Sequence, residues 1–290
     1  MSFPVSVRTL IRDTFNSEVQ RVSSVGGGCI NETFRIVLAD GQDLFVKQNR
    51  IDLYDMFEKE AAGLRLLDNA TDEIRIPGVH AFLKDEDAGL AVLILSFIEE
   101  DRARGSFDER FGQALARLHQ HTAPQFGLDH DNYIGRLPQK NSWRDDWPVF
   151  FAECRLETQM AMAQDNGYFS GSTRLALERL YKRLPELFPV EPPALLHGDL
   201  WGGNYLCDRE QRPVLIDPAI YYGHREAELA FTQLFGEFGR GFYEGYSQVY
   251  PLEPGFHERK DIYNIYPLLV HVNLFGGSYV AQAEAVIRRY

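Results

Sequence analysis

The run His197-Gly198-Asp199-Leu200-Trp201-Gly202-Gly203-Asn204, followed by Leu215-Ile216-Asp217, holds the residues whose types and spacing can do chemistry. Moving a phosphoryl group needs a carboxylate to accept the nucleophile's proton and hard oxygen ligands for magnesium on the nucleotide phosphates. Asp199 and Asn204 stand five residues apart, and Asp217 comes 13 residues after Asn204 at the end of an apolar strand. That order and spacing match a base followed by two metal ligands. Taken singly, His-Gly-Asp reads as a turn and Asp217 as a strand-end cap; the combination is what points to phosphoryl transfer.

The front of the chain offers the complementary parts. Gly26-Gly27-Gly28 precede a strand pattern, and residues without Cβ let backbone N–H groups approach phosphates closely, although a plain hairpin turn explains a glycine triplet as well. Strand alternation puts Leu44 and Val46 on one face and Phe45 and Lys47 on the other. A lysine there can reach the α- and β-phosphates, provided a carboxylate holds it. The helix pattern that follows contains Glu58 and Glu60, and at about 100° per residue Glu60 shares the side of Leu64 while Glu58 points further round. Glu60 is therefore the expected partner of Lys47.

The elements that must position these groups fall into two kinds. Thr33–Leu38, Leu44–Gln48 and Leu90–Leu95 read as strands, with a helix over Tyr54–Leu67 and a turn at Ala39-Asp40-Gly41. From Phe107 onward helical spacing dominates, as in Phe111, Ala114, Leu115 and Leu118, interrupted where Leu195–Leu206 and Val214–Ile216 read as short strands flanking a loop full of polar chemistry. The expected fold is α+β, with a β-rich lobe over residues 1–98, a hinge near Ser96–Glu100 and a mainly α-helical lobe over residues 99–290. A length of 290 residues with 44% hydrophobic and 25% charged residues suits such a globular chain. The net charge of −12 argues against a nucleic-acid backbone binder, which needs a basic face. The longest apolar run, Leu90–Ile98, is far too short for a membrane span, and no signal peptide is apparent. With three cysteines and no disulfide framework, the expected compartment is the cytoplasm.

The stretches GGGCINETF, LFVKQN, MFEKEAAGL, NSWRDDWPVFFAECRL, LLHGDLWGGN, LIDPAIYYGHREAELA and HVNLFGGSY, spread nearly end to end, resemble those of the fructosamine kinases, or ketosamine-3-kinases. That family shares the protein-kinase-like fold of the aminoglycoside and choline kinases: a small antiparallel β-rich N-lobe and a larger, mainly α-helical C-lobe. Trp after HGDL distinguishes it from its antibiotic-modifying relatives. The family usually reads HGDLWSGN, so Gly202 is a departure, at a position that binds neither ion in this scheme.

The resemblance implies ATP and Mg2+ as cofactors and a role for each matching position. Asp199 becomes the base for a sugar hydroxyl, Asn204 and Asp217 the magnesium ligands, and Lys47 with Glu60 the phosphate-positioning pair. Gly26, Gly27 and Gly28 would cover the phosphates, and the backbone of Ser96, Phe97 and Ile98 would hydrogen-bond adenine. Trp201 is suited to stack on the sugar, with lobe packing as its other reading. Trp143, Asp146 and Trp147 are candidates for the amine-bearing part of the substrate, with packing an equal account of the tryptophans. His224 and His271 are further substrate candidates, His271 with Asn273, and Glu228 is expected to brace the catalytic loop. Cys29 is a redox candidate, or an inert small residue.

The expected activity is phosphorylation of the O3 hydroxyl of a ketosamine, free or on a protein lysine, after which the adduct breaks down and releases the amine. No nucleic-acid or membrane partner is expected, and the chain is taken as monomer or homodimer. Another small-molecule kinase, for aminoglycosides, choline or homoserine, is the alternative enzyme. A non-catalytic nucleotide-binding regulator would require loss of at least one of Lys47, Asp199, Asn204 or Asp217, and all four are present.

Overall fold

Apolar residues at two-residue spacing drive five segments of the first hundred residues into one sheet. A computed structural model describes residues 3–26, 30–236 and 238–290 of the chain. Its elements begin with α1 (Val5–Phe15), β1 (Val19–Ser24), β2 (Glu32–Leu38), β3 (Asp43–Arg50), α2 (Tyr54–Ala70), β4 (Val79–Asp85) and β5 (Leu90–Ser96). The five strands form one sheet in the order β1-β2-β3-β5-β4, every neighbouring pair antiparallel. Phe34, Ile36 and Leu38 of β2 and Leu44 and Val46 of β3 bury one face against Val7 and Ile11 of α1. Register places Lys47 opposite Thr33 on one side and Leu93 on the other, in the middle of the sheet.

The chain continues through α3 (Phe107–Leu118), β6 (Asn132–Ile134), β7 (Leu137–Gln139), α4 (Trp147–Phe150), a π-helical stretch (Phe151–Glu157), α5 (Thr158–Asp165) and α6 (Gly171–Leu187). Short strands β8 (Ala194–Leu196), β9 (Tyr205–Cys207), β10 (Pro213–Leu215) and β11 (Tyr221–Gly223) follow, pairing β8 with β11 and β9 with β10. The chain ends in α7 (Arg225–Phe231), α8 (Arg240–Val249), α9 (Phe256–Tyr263), α10 (Ile265–Phe275) and α11 (Ser278–Ile287). Two compact units result. One comprises Met1–Ala103 with Leu206–Asp217, the other Arg104–Tyr205 with Pro218–Tyr290.

The sequence places the boundary at residues 98 and 99; the units instead divide between Ala103 and Arg104, and they differ also in where residues 206–217 belong. Residues 206–217 return to the first unit because their backbone is spent there. The Arg75 amide donates to the Pro213 carbonyl, Leu215 donates back to Arg75, and Asp101 donates to Cys207. Asp208, 1% exposed, takes the Arg75 and Arg212 guanidinium groups at 3.1 Å each. Burial alone would raise its carboxyl, but the Arg212 amide and these cations hold it below the usual range.

In the second unit, α3 and α8 approach so closely that glycine is required on both. A Cβ at Gly112 would lie 1.9 Å from the Phe242 carbonyl oxygen, and one at Gly245 would lie 2.1 Å from that of Glu109. An aromatic core of Trp147, Phe151, Phe188 and Tyr263 fills the space around α4, α9 and the π-helical stretch. Among the described residues no helix is long and apolar enough to cross a membrane.

Candidate active site

Within the first unit, Lys47 is 3% exposed, with Nζ 2.6 Å from Glu60 Oε1 and 2.6 Å from Asp217 Oδ1. Burial by itself would push the ammonium group down. Asp217 and Glu60 outweigh it and hold Lys47 above its ordinary value, so the lysine is charged at neutral pH. It is Glu60 and not Glu58 that reaches Lys47, as the helix face predicts. Asp217 adopts the left-handed region at φ 55°, where Asp is among the residues that do so at least cost. Its side chain is 47% exposed, so the carboxylate that salts Lys47 also faces solvent.

The adenine expectation narrows on inspection of the strand end. The Ser96 amide donates to the Gly78 carbonyl and the Phe97 amide to that of Asp43, so neither is an available donor. Ile98 is the remaining candidate amide of the three. Gly26 has open space around its Cβ position, while Gly27, Gly28 and Cys29 lie outside the described residues.

In the second unit, the loop between β8 and the neighbourhood of β9 carries Asp199 and Asn204. Asn204 Nδ2 donates to the Asp199 carbonyl at 2.8 Å and to its Oδ2 at 2.9 Å. With both amide hydrogens spent, the Asn204 side-chain oxygen remains as a donor for a cation, which is how a magnesium ligand must present itself. Gly198 turns the loop at φ +84°, and a Cβ there would lie 2.0 Å from the Ala219 carbonyl oxygen. Only glycine meets both demands.

Glu228 holds the loop from below. Its Oε1 accepts the Gly198 amide at 2.7 Å and its Oε2 accepts the His197 amide at 3.1 Å. The Nε2–H of His119 reaches Oε2 at 2.9 Å, while Tyr246 hydroxyl bonds Nδ1 at 2.8 Å. Burial would raise this carboxyl, but His119 and the loop amides bring it below its ordinary value. Glu228 thus braces the catalytic-loop backbone as an anion, and it also lines the pocket beside Asp199.

Asp199 and Gly198 open onto a pocket with an empty volume of about 480 Å³, counting its solvent-open mouth, lined also by Tyr221, Tyr266, Phe231 and His271. The Nδ1–H of His271 donates to the Pro267 carbonyl at 2.8 Å, which makes Nε2 the acceptor of the neutral ring. Burial lowers the pKa of His271 and so favours that neutral form. Trp201 is 42% exposed, its ring lying over Gly203, so part of the indole is open to stacking.

Other expected substrate groups are placed differently. His224 is fully buried; it caps the N-terminus of α7 through Nδ1 and donates Nε2–H to the Pro189 carbonyl, so it touches no substrate. Asp146 caps α4 by accepting the Val149 amide at 3.0 Å. Trp147 is core, whereas Trp143 is 36% exposed with its ring beside Tyr222. Asn273 is tied to Gln159 and not aimed at the pocket. Tyr221 and Tyr266 went unnoticed in the sequence; the YY pair four residues beyond Asp217 was the one available signal.

Comparison with known proteins identifies the family of the chain. The sequence model of the family described as fructosamine kinase matches residues 5–290. A protein of Synechocystis named as a probable ketoamine kinase is 42% identical over 273 residues, covering 93% of this chain and 90% of its own. The chloroplastic protein-ribulosamine 3-kinase of Arabidopsis thaliana is 38% identical over 278 residues, covering 94% and 83%. The Thermobifida fusca structure assigned as a fructosamine-3-kinase superposes with a TM-score of 0.86 at 35% identity, covering 98% of this chain and all of that one. The choline kinase LicA of Streptococcus pneumoniae, at 19% identity and a TM-score of 0.66, shares the fold over 98% of this chain and 99% of its own.

Proposed function

The chain belongs to the fructosamine kinase family, and from that premise we propose that it transfers the γ-phosphoryl group of ATP to the O3 hydroxyl of a ketosamine. The observation that carries this reading is Asp199, locked by Asn204 at the mouth of a pocket whose wall includes the neutral acceptor His271. Asp199 orients the acceptor hydroxyl and takes its proton as the phosphorus–oxygen bond forms. His271 Nε2 accepts a hydrogen bond from a second sugar hydroxyl, and Trp201 covers the sugar face.

Lys47, kept charged by Glu60 and Asp217, binds the nucleotide phosphates. The side-chain oxygen of Asn204 and the carboxylate of Asp217 are the donors that suit Mg2+, which when bound offsets charge on the phosphate oxygens. Phosphorylation at O3 places a leaving group beside the ketone, and breakdown of the adduct then frees the amine. In this reading the protein is a cytoplasmic deglycation enzyme.

The test is ADP release with ATP and Mg2+ on ribulosyl-lysine, fructosyl-lysine, kanamycin and choline in parallel, with Asp199→Asn as the companion variant. Turnover on a ketosamine, falling about 10²- to 10⁴-fold in Asp199→Asn, is the expected result. Turnover confined to kanamycin or choline keeps a kinase and overturns the substrate; native turnover in Asp199→Asn overturns the base.

A further inference from the structure

Behind the pocket of the second unit lies a chain of buried polar side chains that the reaction scheme does not use. Asn132, Gln139, Asn141 and Arg155 are between 0% and 5% exposed, and none of the four lines the pocket. Gln139 is the hub. Its Nε2 donates to the Asn132 side-chain oxygen at 2.8 Å and to the Ala219 carbonyl at 2.9 Å, while its Oε1 accepts the Tyr266 hydroxyl at 2.7 Å.

Asn132 Nδ2 donates in turn to the Ile220 carbonyl at 2.8 Å. Asn141 Nδ2 bonds the same Asn132 oxygen at 2.8 Å, and Arg155 reaches Asn141 Oδ1 at 2.9 Å from its stack on Tyr221, 3.8 Å from the ring centre. Every hydrogen of the Gln139 amide is spent, so its orientation is fixed.

What this chain grips is the backbone beside the base. The Ala219 amide donates to the His197 carbonyl at 2.9 Å, and the Ala219 carbonyl oxygen presses on Gly198 where a Cβ would stand 2.0 Å away. Glu228 holds the amides of His197 and Gly198 from the other side. The loop is therefore clamped between a carboxylate and a carbonyl, and Gln139 fixes the carbonyl jaw.

We propose that Gln139 is a positioning residue for phosphoryl transfer, holding the Ala219 carbonyl against Gly198 so that Asp199 is aimed at the acceptor hydroxyl. This rests on Asp199 being the base. Gln139 touches no substrate; it acts through two backbone groups. A misplacement of about 1 Å at a reacting group costs on the order of 100-fold in rate, which sets the scale of the effect.

The experiment compares Gln139→Met with Gln159→Met, both near-isosteric and unable to hydrogen-bond, in steady-state assays on a ketosamine well below each melting temperature. Gln159 is an equally buried amide, 1% exposed, bonded to Asn273 away from the loop. The expected result is kcat lower by about 10- to 100-fold in Gln139→Met, with KM for ATP and ketosamine near native, and native kcat in Gln159→Met. Native kcat in Gln139→Met, or an equal loss in both variants, overturns the proposal. If Gln139→Met does not fold, Asn132→Leu, which removes the side-chain oxygen that aligns Gln139 and lies outside the pocket, decides the matter: lowered kcat supports the proposal and native kcat overturns it. Asp199→Asn runs alongside, and native turnover there removes the base itself and this inference with it.

Discussion

Lys47 sits between two carboxylates at equal distance, and this arrangement shows what a single residue contributes and what its neighbours must add. The adjacent glycines of the catalytic loop show the same dependence. Gly202 has nothing within 4 Å of its Cβ position, whereas a Cβ on Gly203 would lie 2.4 Å from the Trp201 ring. Gly202→Ser is therefore expected to keep native kinetics. Gly203→Ala is expected to push the exposed indole aside, raising KM for the ketosamine by about 2- to 12-fold, the worth of a stacked aromatic contact, with little change in melting temperature. An unchanged KM in Gly203→Ala would show that Trp201 does not meet the sugar. Asp199, Asn204, Lys47 and Glu60 were legible because fixed spacing along the chain or around a helix dictates where each points. His224 and Asp146 were not, since the polar atoms of a helix cap and those of a substrate contact look alike until the partner is known. The hinge amides of Ser96 and Phe97 were also illegible, because what removes them is pairing with distant Gly78 and Asp43.

At the scale of elements, the contact of α3 with α8 depends on two glycines that sequence patterning treats as flaws in a helix. Gly112→Ala gains about 1 kcal/mol of helix propensity but drives a methyl group into the Phe242 carbonyl, and overpacking of that kind costs about 1–3 kcal/mol or more. A lower melting temperature by several degrees in a thermal scan is expected; a rise would mean the helices part freely. Strand β2 and helix α2 were readable from their periods of two and about 3.6 residues. The region from Leu195 to Ile216 reads in sequence as short strands flanking a polar loop, and β8 and β9 do flank that loop, because Gly198 at positive φ and the Glu228 anchor take its backbone out of any ladder. The π-helical stretch Phe151–Glu157 has no period that distinguishes it from an α-helix in sequence.

For the molecule as a whole, acid is the condition that tests the buried charges together. His224 faces Glu191 at 3.7 Å, Glu226, Arg225 and Arg259; burial lowers its pKa to about 4, with Arg225 and Arg259 adding to the effect against Glu226. Between its unfolded value near 6.5 and about 4, the unfolded chain binds a proton that the folded chain refuses, so stability falls as pH falls through that window. The loss reaches about 3 kcal/mol at the low end. Urea unfolding midpoints should drop between pH 7 and pH 4.5, and His224→Asn should flatten the slope; a flat native profile would mean the imidazole is charged in the fold. The division of labour along the chain was legible in its front and back halves, but the return of residues 206–217 to the first unit was not, since a three-residue strand carries little pattern. That return has a consequence for biosynthesis. A ribosome adding about 5–20 residues per second finishes Met1–Ala103 roughly 5–20 s before it delivers Asp217. Through that interval Lys47 has Glu60 but not yet Asp217, and Arg75 waits for Asp208. A segment made early is thus among the last to be completed, and the unit that holds Lys47 closes only when translation has passed residues 197–204.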